Sequence, residues 1–421
     1  MTLVGLDDTD SRDLGMCTTY AAATLADRLR AAGHGVARVL LVRCNPAVEH
    51  KTRGNAALAV HTDAPASTAR DHARAVLAMA ATEDPRTNPG AVVADCSPEA
   101  VPDAVAAFTD RAVRDHCEVG TARRLAAESG FDTLADGNGR GLIGALAAVG
   151  AWRAHDDWTY EHISYRERDR WGTERDVDRD SVFAAAEDAY PDVWDTVDRV
   201  EGTAVCVPRT PCPILYGIRG DDPDACRAVA AAIEGEPVAD SQLFHTNQGT
   251  DAHVRDGTVA SAADGRSYRL DATVRESPET RAGGHVFLTV GDGDATIDCA
   301  AFEPTKRFRD RVRALRVGDD LTLCGEVSEG TLKLEKFAVR DLVRTERVTP
   351  DCPDCGRSME SAGADQGYRC RDCSTAAPGK VDRPLDRELE RGWYEVPPVA
   401  RRHVAKPLVR GGFDAPTHPE R

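Results

Sequence analysis

The amino-acid sequence predicts a multidomain α+β protein: an N-terminal α/β domain, a ferredoxin-like domain, an OB-fold β-barrel and a zinc ribbon. Three observations lead to this prediction. A chain of 421 residues has room for roughly two to four domains with cores of their own. Five strand-like segments follow one another after residue 266. Two Cys-x-x-Cys pairs lie close to the C-terminus.

An acidic loop near the N-terminus is the first candidate site. Residues 3–6 form a short apolar run typical of a buried strand, and three aspartates follow it. From Thr18 onward a helical pattern begins, with Thr18 or the next threonine in the position of an N-cap. Ligands of α/β folds bind at the C-terminal ends of strands, and Mg²⁺ prefers carboxylates combined with substrate phosphates. We therefore predict that Asp7, Asp8 and Asp10 hold Mg²⁺ and phosphate. A solvated acidic turn is the alternative.

Two further segments have the residue types that bind phosphate. Lys51 and Arg53 are clustered cations that could neutralise phosphate charge, with a solvated basic loop as the alternative. A glycine-rich stretch precedes an Ala/Leu-rich helix, and its glycines would let backbone N–H groups approach phosphate oxygens at the helix N-terminus. A flexible glycine turn is the alternative, because the spacing matches neither a P-loop nor the dinucleotide fingerprint. The candidates in this stretch are Gly139, Arg140, Gly141 and Gly144.

Residues 151–255 are predicted to form a separate ferredoxin-like domain. Its β-β-α-β order of segments is typical of that sandwich. The expected strands are Trp158–Ser164, Thr203–Val207, Ile214–Ile218 and Gln242–Thr246, and the expected helix is Pro223–Ile233.

Residues 266–345 have the layout of an oligonucleotide-binding barrel, because five strands are expected with one helix after the third. That helix is expected at Thr305–Arg316 and carries six basic residues and one acidic residue. On a chain with net charge −17, such a cluster indicates contacts with nucleic-acid phosphates, although a solvated basic face is the alternative. The proposed contacts are Lys306, Arg307, Arg309 and Arg311.

The C-terminal region combines a metal motif with a basic tail. The zinc ribbon is expected at 350–376, where four thiolates would close the tetrahedral coordination of a structural Zn²⁺. In the tail, 377–421, Arg401 and Arg402 are proposed as further RNA contacts, and the neighbouring Trp393 and Tyr394 as base-stacking groups. A tail that docks on its own protein is the alternative. The predicted zinc ligands are Cys352, Cys355, Cys370 and Cys373.

Composition limits the remaining function classes. Only six of the 53 Lys and Arg residues are lysine, and the net charge is −17, which is typical of proteins kept soluble in concentrated salt. The longest nearly apolar stretch, Gly141–Trp152, is too short to cross a bilayer, and no signal-peptide pattern is present. Thirteen cysteines, mostly scattered, fit reduced thiols. We therefore expect a cytoplasmic protein of a halophile, with no membrane partner.

Taken together, the motifs resemble one family, the archaeal tRNA-cytidine agmatinyl-ligases, also called 2-agmatinylcytidine synthetases. The matching segments occur in order from end to end, and the departures lie between them, in the acidic surface and the use of Arg in place of Lys. The segments are Gly5-Leu-Asp-Asp-Thr-Asp-Ser11, Gly15-Met-Cys-Thr-Thr-Tyr20, Lys51-Thr-Arg-Gly-Asn55, Gly139-Arg-Gly-Leu-Ile-Gly-Ala-Leu-Ala-Ala-Val-Gly150, Pro211-Cys-Pro-Ile-Leu-Tyr-Gly-Ile-Arg-Gly220, Cys299-Ala-Ala-Phe-Glu-Pro-Thr-Lys306, Trp393-Tyr-Glu-Val-Pro-Pro398 and Ala400-Arg-Arg-His403.

The resemblance implies an activity and an architecture. Members of this family act on the isoleucine tRNA whose wobble base is cytidine, and they replace the C2 oxygen of that cytidine with agmatine, so that the codon read changes from AUG to AUA. A kinase-like domain, here 1–150, uses ATP to phosphorylate the C2 oxygen. A threonine that matches Thr18 becomes phosphorylated during the cycle. The implied catalytic residues are Asp7, Asp8, Asp10 and Thr18, and the implied ATP-binding residues are Ser11, Lys51, Arg53, Gly139, Arg140, Gly141 and Gly144.

The chemistry of these residues agrees with that implication. An amide-like oxygen is a poor leaving group, and its phosphorylation, which needs positioning and charge neutralisation, makes displacement by an amine feasible. The base must leave its stack, and the guanidinium of agmatine needs a carboxylate or carbonyl fork that the sequence does not identify. Two other classes stay open: a phosphotransferase using Asp8 and Asp10, and a non-catalytic single-strand-binding protein built on the barrel and ribbon. Arg12 departs from the usual motif of the first, and the second leaves the N-terminal half without a role.

Overall fold

A computed structural model describes residues 1–11, 13–49, 51 and 54–421. The prediction for Arg53 lies outside these residues. None of the described helices is long and apolar enough to span a bilayer.

The chain forms a large mixed α/β part, a β-barrel and a small ribbon. The elements of the first part are β1 (Thr2–Asp7), α1 (Thr18–Ala31), β2 (Val36–Arg43), β3 (Ala56–Thr62), α2 (Ala66–Leu77), β4 (Gly90–Ala94), α3 (Asp103–Arg114), α4 (Val119–Glu128), β5 (Asp132–Ala135), α5 (Gly141–Ala154), β6 (Thr159–Arg166), α6 (Arg179–Asp188), β7 (Val193–Trp194), β8 (Ile214–Gly220), α7 (Pro223–Ala232) and β9 (Val238–Thr246). The later elements are β10 (Arg266–Val274), β11 (Val286–Asp292), β12 (Ala295–Ala301), α8 (Phe308–Arg313), β13 (Asp320–Ser328), β14 (Thr331–Asp341), β15 (Thr345–Val348), β16 (Val381–Pro384) and β17 (Gly392–Glu395).

A nine-stranded sheet runs through the first part in the order β5-β4-β1-β3-β2-β9-β6-β8-β7. Strand β1 is antiparallel to both of its neighbours, β3 and β4. Its C-terminal end therefore meets the N-terminal ends of those strands, and Asp7 lies opposite Gly90. Strand β9 joins β2 in parallel through the pairs His245–Leu40 and Thr246–Leu41. The sheet is thus continuous across the boundary predicted near residue 150.

Helix α5 packs on this sheet at a distance that only glycine permits. The helix is apolar on nearly all sides and, apart from the half-buried Ile143, is buried from Gly141 to Ala151, as expected of a helix enclosed between other layers. A Cβ on Gly5 of β1 would lie 2.0 Å from the carbonyl oxygen of Ala145. A Cβ on Gly90 of β4 would lie 2.5 Å from the carbonyl carbon of Gly141. These glycines let the N-terminus of α5 reach the end of β1.

The second half of the sheet has the order β-α-β-β-α-β in sequence, with β6 between β9 and β8. Helix α6, which the sequence interpretation did not include, begins after Asp178, whose side chain accepts from the Ser181 N–H. The strand predicted at Thr203–Val207 was wrong in extent: only Thr203–Ala204 is paired. Beyond it the N–H groups of residues 205 and 206 both donate to one carbonyl, that of Thr196, so the extended pairing stops.

Strands β10 to β14 close a five-stranded barrel, as predicted. Strand β10 pairs with β11 and β13, β11 pairs with β12, and β14 pairs with β13 and, in parallel, with β12. The helix predicted at Thr305–Arg316 was wrong in extent, because the α-helix covers only Phe308–Arg313. A short 3-10 turn precedes it, and Lys306 has a left-handed φ of 52°, which interrupts a continuous helix.

The C-terminal segment returns to the body of the protein. Strand β17 extends the barrel by pairing with β14. After it, residues 398–410 run between the barrel and the second half of the large sheet. The N–H groups of Gly249 and Asp251 donate to the carbonyls of His403 and Val404 at 2.8 and 3.0 Å. The predicted alternative for the tail, docking on its own protein, is therefore what the structure shows.

Candidate active site

A cavity of about 720 Å³ opens between the two halves of the large sheet. This volume is in the range of pockets that bind small ligands. Residues from the ends of β1, β2 and α5, from the loops before α1 and β3, and from the second half of the sheet contribute to its wall. The charged or titratable side chains that line it are Asp7, Asp8, Asp10, Cys17, Arg43, Cys44, Lys51, Asp115, His116, Cys117, Arg140, Glu161, Cys206, Arg209, Cys212, Arg219 and His403.

Asp7 lies at the end of β1 with its carboxylate against helix α5. Its Oδ1 accepts the Asp8 N–H at 2.7 Å. A Cβ on Gly144 would lie 2.1 Å from its Oδ2, so the small residue at 144 makes room for the carboxylate. Burial raises the pKa of Asp7 well above its usual value, and the charge of Asp8 raises it further. A carboxylate with this environment gains from any cation brought beside it.

Asp8 begins the loop in a strained conformation. Its φ is 58°, and Met16 and Asn55 near the same cavity also have left-handed φ values, 59° and 49°. The carboxylate of Asp8 accepts from Arg140 Nη2 at 2.9 Å and Nε at 3.1 Å. Burial raises the pKa of Asp8 while the guanidinium of Arg140 opposes that rise. Arg140 therefore supplies the positive charge that the acidic loop needs.

The three predicted metal-ligating aspartates line one cavity, but they do not form a compact ligand set. Among the described residues, only the four zinc-motif cysteines bring at least three ligand atoms within 4.8 Å of one another. Asp8 is also engaged by Arg140. The donor chemistry fits a hard cation, since carboxylates combined with phosphate oxygens suit Mg²⁺.

Thr18 lies in the cavity wall. The prediction that Thr18 or the next threonine is the N-cap of α1 was wrong: the N-cap is Cys17, and Thr18 is the first helical residue, with its side chain buried. Thr9 Oγ1 and Thr18 Oγ1 are 3.1 Å apart. The hydroxyl of Thr18 thus faces the acidic loop from the first turn of the helix.

The predicted ATP-binding residues separate into two groups. Lys51 and Arg140 line the cavity, and Lys51 Nζ donates to the carbonyl of Pro46. Ser11 instead stabilises the acidic loop from outside the cavity wall, because its Oγ donates to Asp84 Oδ2 at 2.8 Å. The Gly141 N–H donates to the carbonyl of Asn88 at 3.0 Å, so in this conformation it is occupied within the protein. At Gly139, φ is 77°, and an added Cβ would meet the guanidinium of Arg123.

Four of the wall side chains that were not predicted come from strands β2, β6 and β8 and from the C-terminal segment. Only the last two of these four lie within the motifs that carried the resemblance. The four are Arg43, Glu161, Arg219 and His403.

The predicted RNA-binding cations are mostly used within the protein. Arg401 has 2% side-chain exposure and pairs with Asp195 and, at 2.8 Å, with Glu395. Arg402 pairs with two glutamates of the barrel, and Arg307 with Asp198 at 3.1 Å. A direct phosphate contact of these three would require their ion pairs to open.

Of the remaining cations of this group, Lys306 and Arg311 are more accessible, whereas Arg309 is only 17% exposed. Lys306 is partly exposed, with Glu201 at 3.7 Å. Arg309 donates to the carbonyl of Gly284 at 2.7 Å. Arg311 is exposed, with its guanidinium carbon 5.7 Å from the ring centre of Tyr394. The predicted stacking groups, by contrast, are not surface residues: Trp393 is 3% exposed and Tyr394 is 5% exposed, so the prediction that they stack on bases was wrong for this conformation.

The four predicted zinc ligands come together. Their sulfur atoms lie within 4.8 Å of one another, and those of Cys355 and Cys370 are 3.6 Å apart. Two sulfurs bound at about 2.3 Å to one tetrahedral zinc lie about 3.8 Å apart, so the spacing fits the ion. A β-bridge between Asp351 and Ser358 brackets the first pair, and short antiparallel strands bracket the second. The prediction of a four-cysteine zinc ribbon is confirmed.

Comparison with known proteins identifies matches to three family models. The TiaS TCKD domain matches residues 3–66, the TiaS FLD domain residues 139–253, and the TiaS C-terminal zinc ribbon domain residues 349–389. A crystal structure of TiaS in complex with its isoleucine tRNA and ATP is 40% identical, with a TM-score of 0.90 and coverage of 100% of this chain and 99% of that chain. A complex of TiaS with the same tRNA, AMPCPP and agmatine is 37% identical over the same shares, with a TM-score of 0.87.

Two relatives that match this chain over nearly their full length have the same name. The isoleucine-tRNA 2-agmatinylcytidine synthetase TiaS of Haloquadratum walsbyi is 52% identical and covers 100% of both chains. The protein of that name from Methanosarcina mazei is 46% identical over 97% of both chains. The resemblance inferred from the motifs is therefore confirmed, and the chain belongs to the family of isoleucine-tRNA 2-agmatinylcytidine synthetases.

Proposed function

We propose that this protein uses ATP to join agmatine to the wobble cytidine of the AUA-reading isoleucine tRNA, which forms 2-agmatinylcytidine and changes the codon read from AUG to AUA. The observation that carries the proposal is the cavity, in which the acidic loop, Thr18 and Arg140 face one space. Full-length relatives have this activity in their names, and related structures hold the isoleucine tRNA, ATP and agmatine.

The division into domains follows the same reasoning. Residues 1–150 act as the kinase-like ATP domain, 151–255 as a ferredoxin-like domain, 266–345 as an OB-fold domain, 350–376 as the zinc ribbon and 377–421 as the C-terminal tail. The β-α-β-β-α-β order and the closed barrel support the second and third of these names. The continuous sheet supports a rigid relation between the first two.

Mg²⁺ bound with ATP would supply positive charge for phosphoryl transfer, and Asp7, Asp8 and Asp10 are the residues that would hold it. The raised pKa of Asp7 and of Asp8 supports this assignment, because both carboxylates are held in surroundings that disfavour an uncompensated negative charge. Arg140 fixes the carboxylate of Asp8 through two hydrogen bonds. Lys51 and Arg53 complete the charge around the phosphates, while Ser11, Gly139, Gly141 and Gly144 set the backbone and the spacing of the loop and helix.

The residues that take part in the chemical steps line one cavity. The C2 oxygen of the cytidine takes a phosphoryl group from ATP, and the amine of agmatine then displaces that oxygen as phosphate. Thr18 is the residue phosphorylated during the cycle, and its first-turn position lets the backbone N–H groups and dipole of α1 stabilise the added charge. Agmatine enters from the second half of the sheet, where Glu161 is the buried carboxylate of the wall.

The tRNA is held chiefly by cations that remain accessible. Lys306 and Arg311 make the phosphate contacts, since both are accessible, and Arg309 joins them where its guanidinium turns away from the carbonyl of Gly284. Arg307, Arg401 and Arg402 contribute by fixing the barrel and tail relative to the catalytic cavity, and contact RNA only where their ion pairs open. The zinc ribbon is structural, and the protein acts in the cytoplasm, where tRNA and ATP are present.

The experiment is incubation with ATP, agmatine and a transcript of the isoleucine tRNA, followed by nucleoside mass spectrometry. Wild-type protein should add the mass of agmatine less water to one cytidine, and Asp8→Asn should abolish the product while tRNA binding is nearly unchanged. A protein that binds tRNA and forms no product would support the non-catalytic alternative. Unchanged turnover of Asp8→Asn would remove the acidic loop from the mechanism.

A further inference from the structure

Arg219 is a buried cation that lines the catalytic cavity and has one guanidinium nitrogen without a hydrogen-bond partner among the described residues. It lies on β8, opposite Glu161 of β6, and is 5% exposed. Its Nη1 has no hydrogen-bond partner among the described residues. Oδ2 of Asp195 lies 4.0 Å from this Nη1, which is too far for a hydrogen bond, and Asp195 already forms an ion pair with Arg401. A buried guanidinium N–H without an acceptor is costly, so an acceptor brought into the cavity within reach of this guanidinium would stabilise it.

His403 reaches the same cavity from the C-terminal segment. It is an exposed residue that lines the cavity. Its position is fixed by the hydrogen bond from the Gly249 N–H and by the buried ion pairs of Arg401 nearby in the chain. Burial and the charges of Arg43 and Arg219 lower the pKa of His403 well below its usual value. A neutral imidazole still offers one N–H donor.

Arg43 adds a second fixed positive charge to this group. Its Nε and Nη2 donate to Gln248 Oε1 at 3.2 and 3.0 Å, and its Nη1 donates to the carbonyl of Gly54 at 3.3 Å. The acidic side chains next to the group are Glu161, which also accepts from Gln248, and Asp195, which is paired with Arg401 and is not part of the cavity wall. In the wall itself, two guanidinium groups and one carboxylate leave a net positive charge beside Arg219 and His403, which suits an anion.

We propose that Arg219 and His403, with the charge of Arg43 behind them, bind a phosphate group inside the catalytic cavity. The proposal rests on the function given above, since that function brings both RNA and phosphate into this space. The phosphate is either the backbone phosphate of the target nucleotide or the phosphate displaced from its C2 oxygen. Both present the same oxygen acceptors to Arg219 and to the imidazole N–H.

The test uses Arg219→Gln and His403→Asn in the full chain. Arg227→Gln is the matched control, because Arg227 is an exposed arginine on α7 that pairs with the neighbouring Asp224. One measurement is calorimetric titration of the tRNA-free protein with inorganic phosphate at constant ionic strength. The other is binding of the isoleucine tRNA across a salt series.

If the site takes the displaced phosphate, Arg219→Gln should lower the affinity for inorganic phosphate by about tenfold or more. His403→Asn should lower that affinity by a smaller factor. If it takes the RNA backbone, Arg219→Gln should lower the slope of log affinity against log salt by about 0.7–0.9. Either result, absent from Arg227→Gln, supports the proposal. Wild-type phosphate affinity and salt slope in both variants would overturn it.

Two further results keep the test decisive. If circular dichroism shows that Arg219→Gln is unfolded, two other variants decide whether the cavity binds phosphate. They are Arg219→Lys, which keeps the charge, and His403→Asn, which lies outside the strands. Neither titration depends on product formation. A failure of agmatine transfer by wild-type protein would therefore count against the proposed function and leave the phosphate site to be judged by its own data.

Discussion

Replacement of Gly144 by alanine should separate the geometry of the active site from the stability of the fold. A Cβ at this position would lie 2.1 Å from Asp7 Oδ2, 2.6 Å from Asp7 Cγ and 2.9 Å from the Cβ of Ala57. To restore even 3.0 Å to the first of these atoms, the carboxylate or the helix must move by about 0.9 Å. The helix is itself held against β1, where Gly5 leaves no space beside Ala145. Asp7 is therefore the group that moves.

The expected magnitudes follow from that displacement. Gly→Ala in a helix interior would by itself stabilise by up to about 1 kcal/mol, whereas overpacking costs about 1–3 kcal/mol. Because rotation of one short side chain relieves much of the overlap, we expect a net loss of about 1 kcal/mol or less. A shift near 1 Å at a catalytic group can cost about 10²-fold in rate, so the loss of activity should far exceed the loss of stability.

The assay pairs denaturant unfolding with the rate of 2-agmatinylcytidine formation. Gly120→Ala in α4 is the control, since a Cβ there meets nothing within 4 Å. The control should unfold at an equal or higher denaturant concentration and keep full activity. If Gly144→Ala is as active as wild type, the carboxylate of Asp7 does not need the position that the structure gives it.

Three other perturbations follow from the same structure. Arg311→Ala should leave the stability unchanged and weaken the binding of all tRNAs alike. In filter binding, the slope of log affinity against log salt should be lower by about 0.7–0.9, and an unchanged slope would exclude Arg311 as a phosphate contact. Cys370→Ser should lose zinc by elemental analysis and unfold the ribbon locally while ATP consumption survives, and full zinc content in the variant would contradict the ligand assignment. Asp7→Asn should abolish activity yet stabilise the metal-free protein at pH 7, because burial raises the pKa of Asp7 in the folded state and the charged form therefore opposes folding. That gain should shrink as the pH falls through the folded-state pKa, where Asp7 is already protonated, and a gain independent of pH would contradict the assignment.

The parts of the site that the sequence predicts correctly are those contained in one local stretch. The end of β1, the acidic loop and the start of α1 are adjacent in sequence, so their contact in space needs no long-range information. The four zinc ligands are likewise recognised from the spacing of the two Cys-x-x-Cys pairs in the sequence. Arg43, Glu161, Arg219 and His403 belong to segments far apart in the chain, and only the β2–β9 pairing and the return of the tail bring them together. No local pattern encodes such pairings, which is why these residues escaped prediction.

The basic clusters show a second limit, which comes from the composition of the chain. In a protein of net charge −17, most arginines fold beside carboxylates, so a run of cations in sequence does not identify a positive surface. Arg401 illustrates the consequence, since removal of a buried partner of this kind would leave Asp195 and Glu395 uncompensated, at a cost of about 3–5 kcal/mol. Concentrated salt screens exposed pairs and leaves buried ones largely unscreened. The ion pairs that join the tail to the barrel and to the large sheet therefore keep His403 in the catalytic cavity under conditions in which surface contacts with RNA weaken.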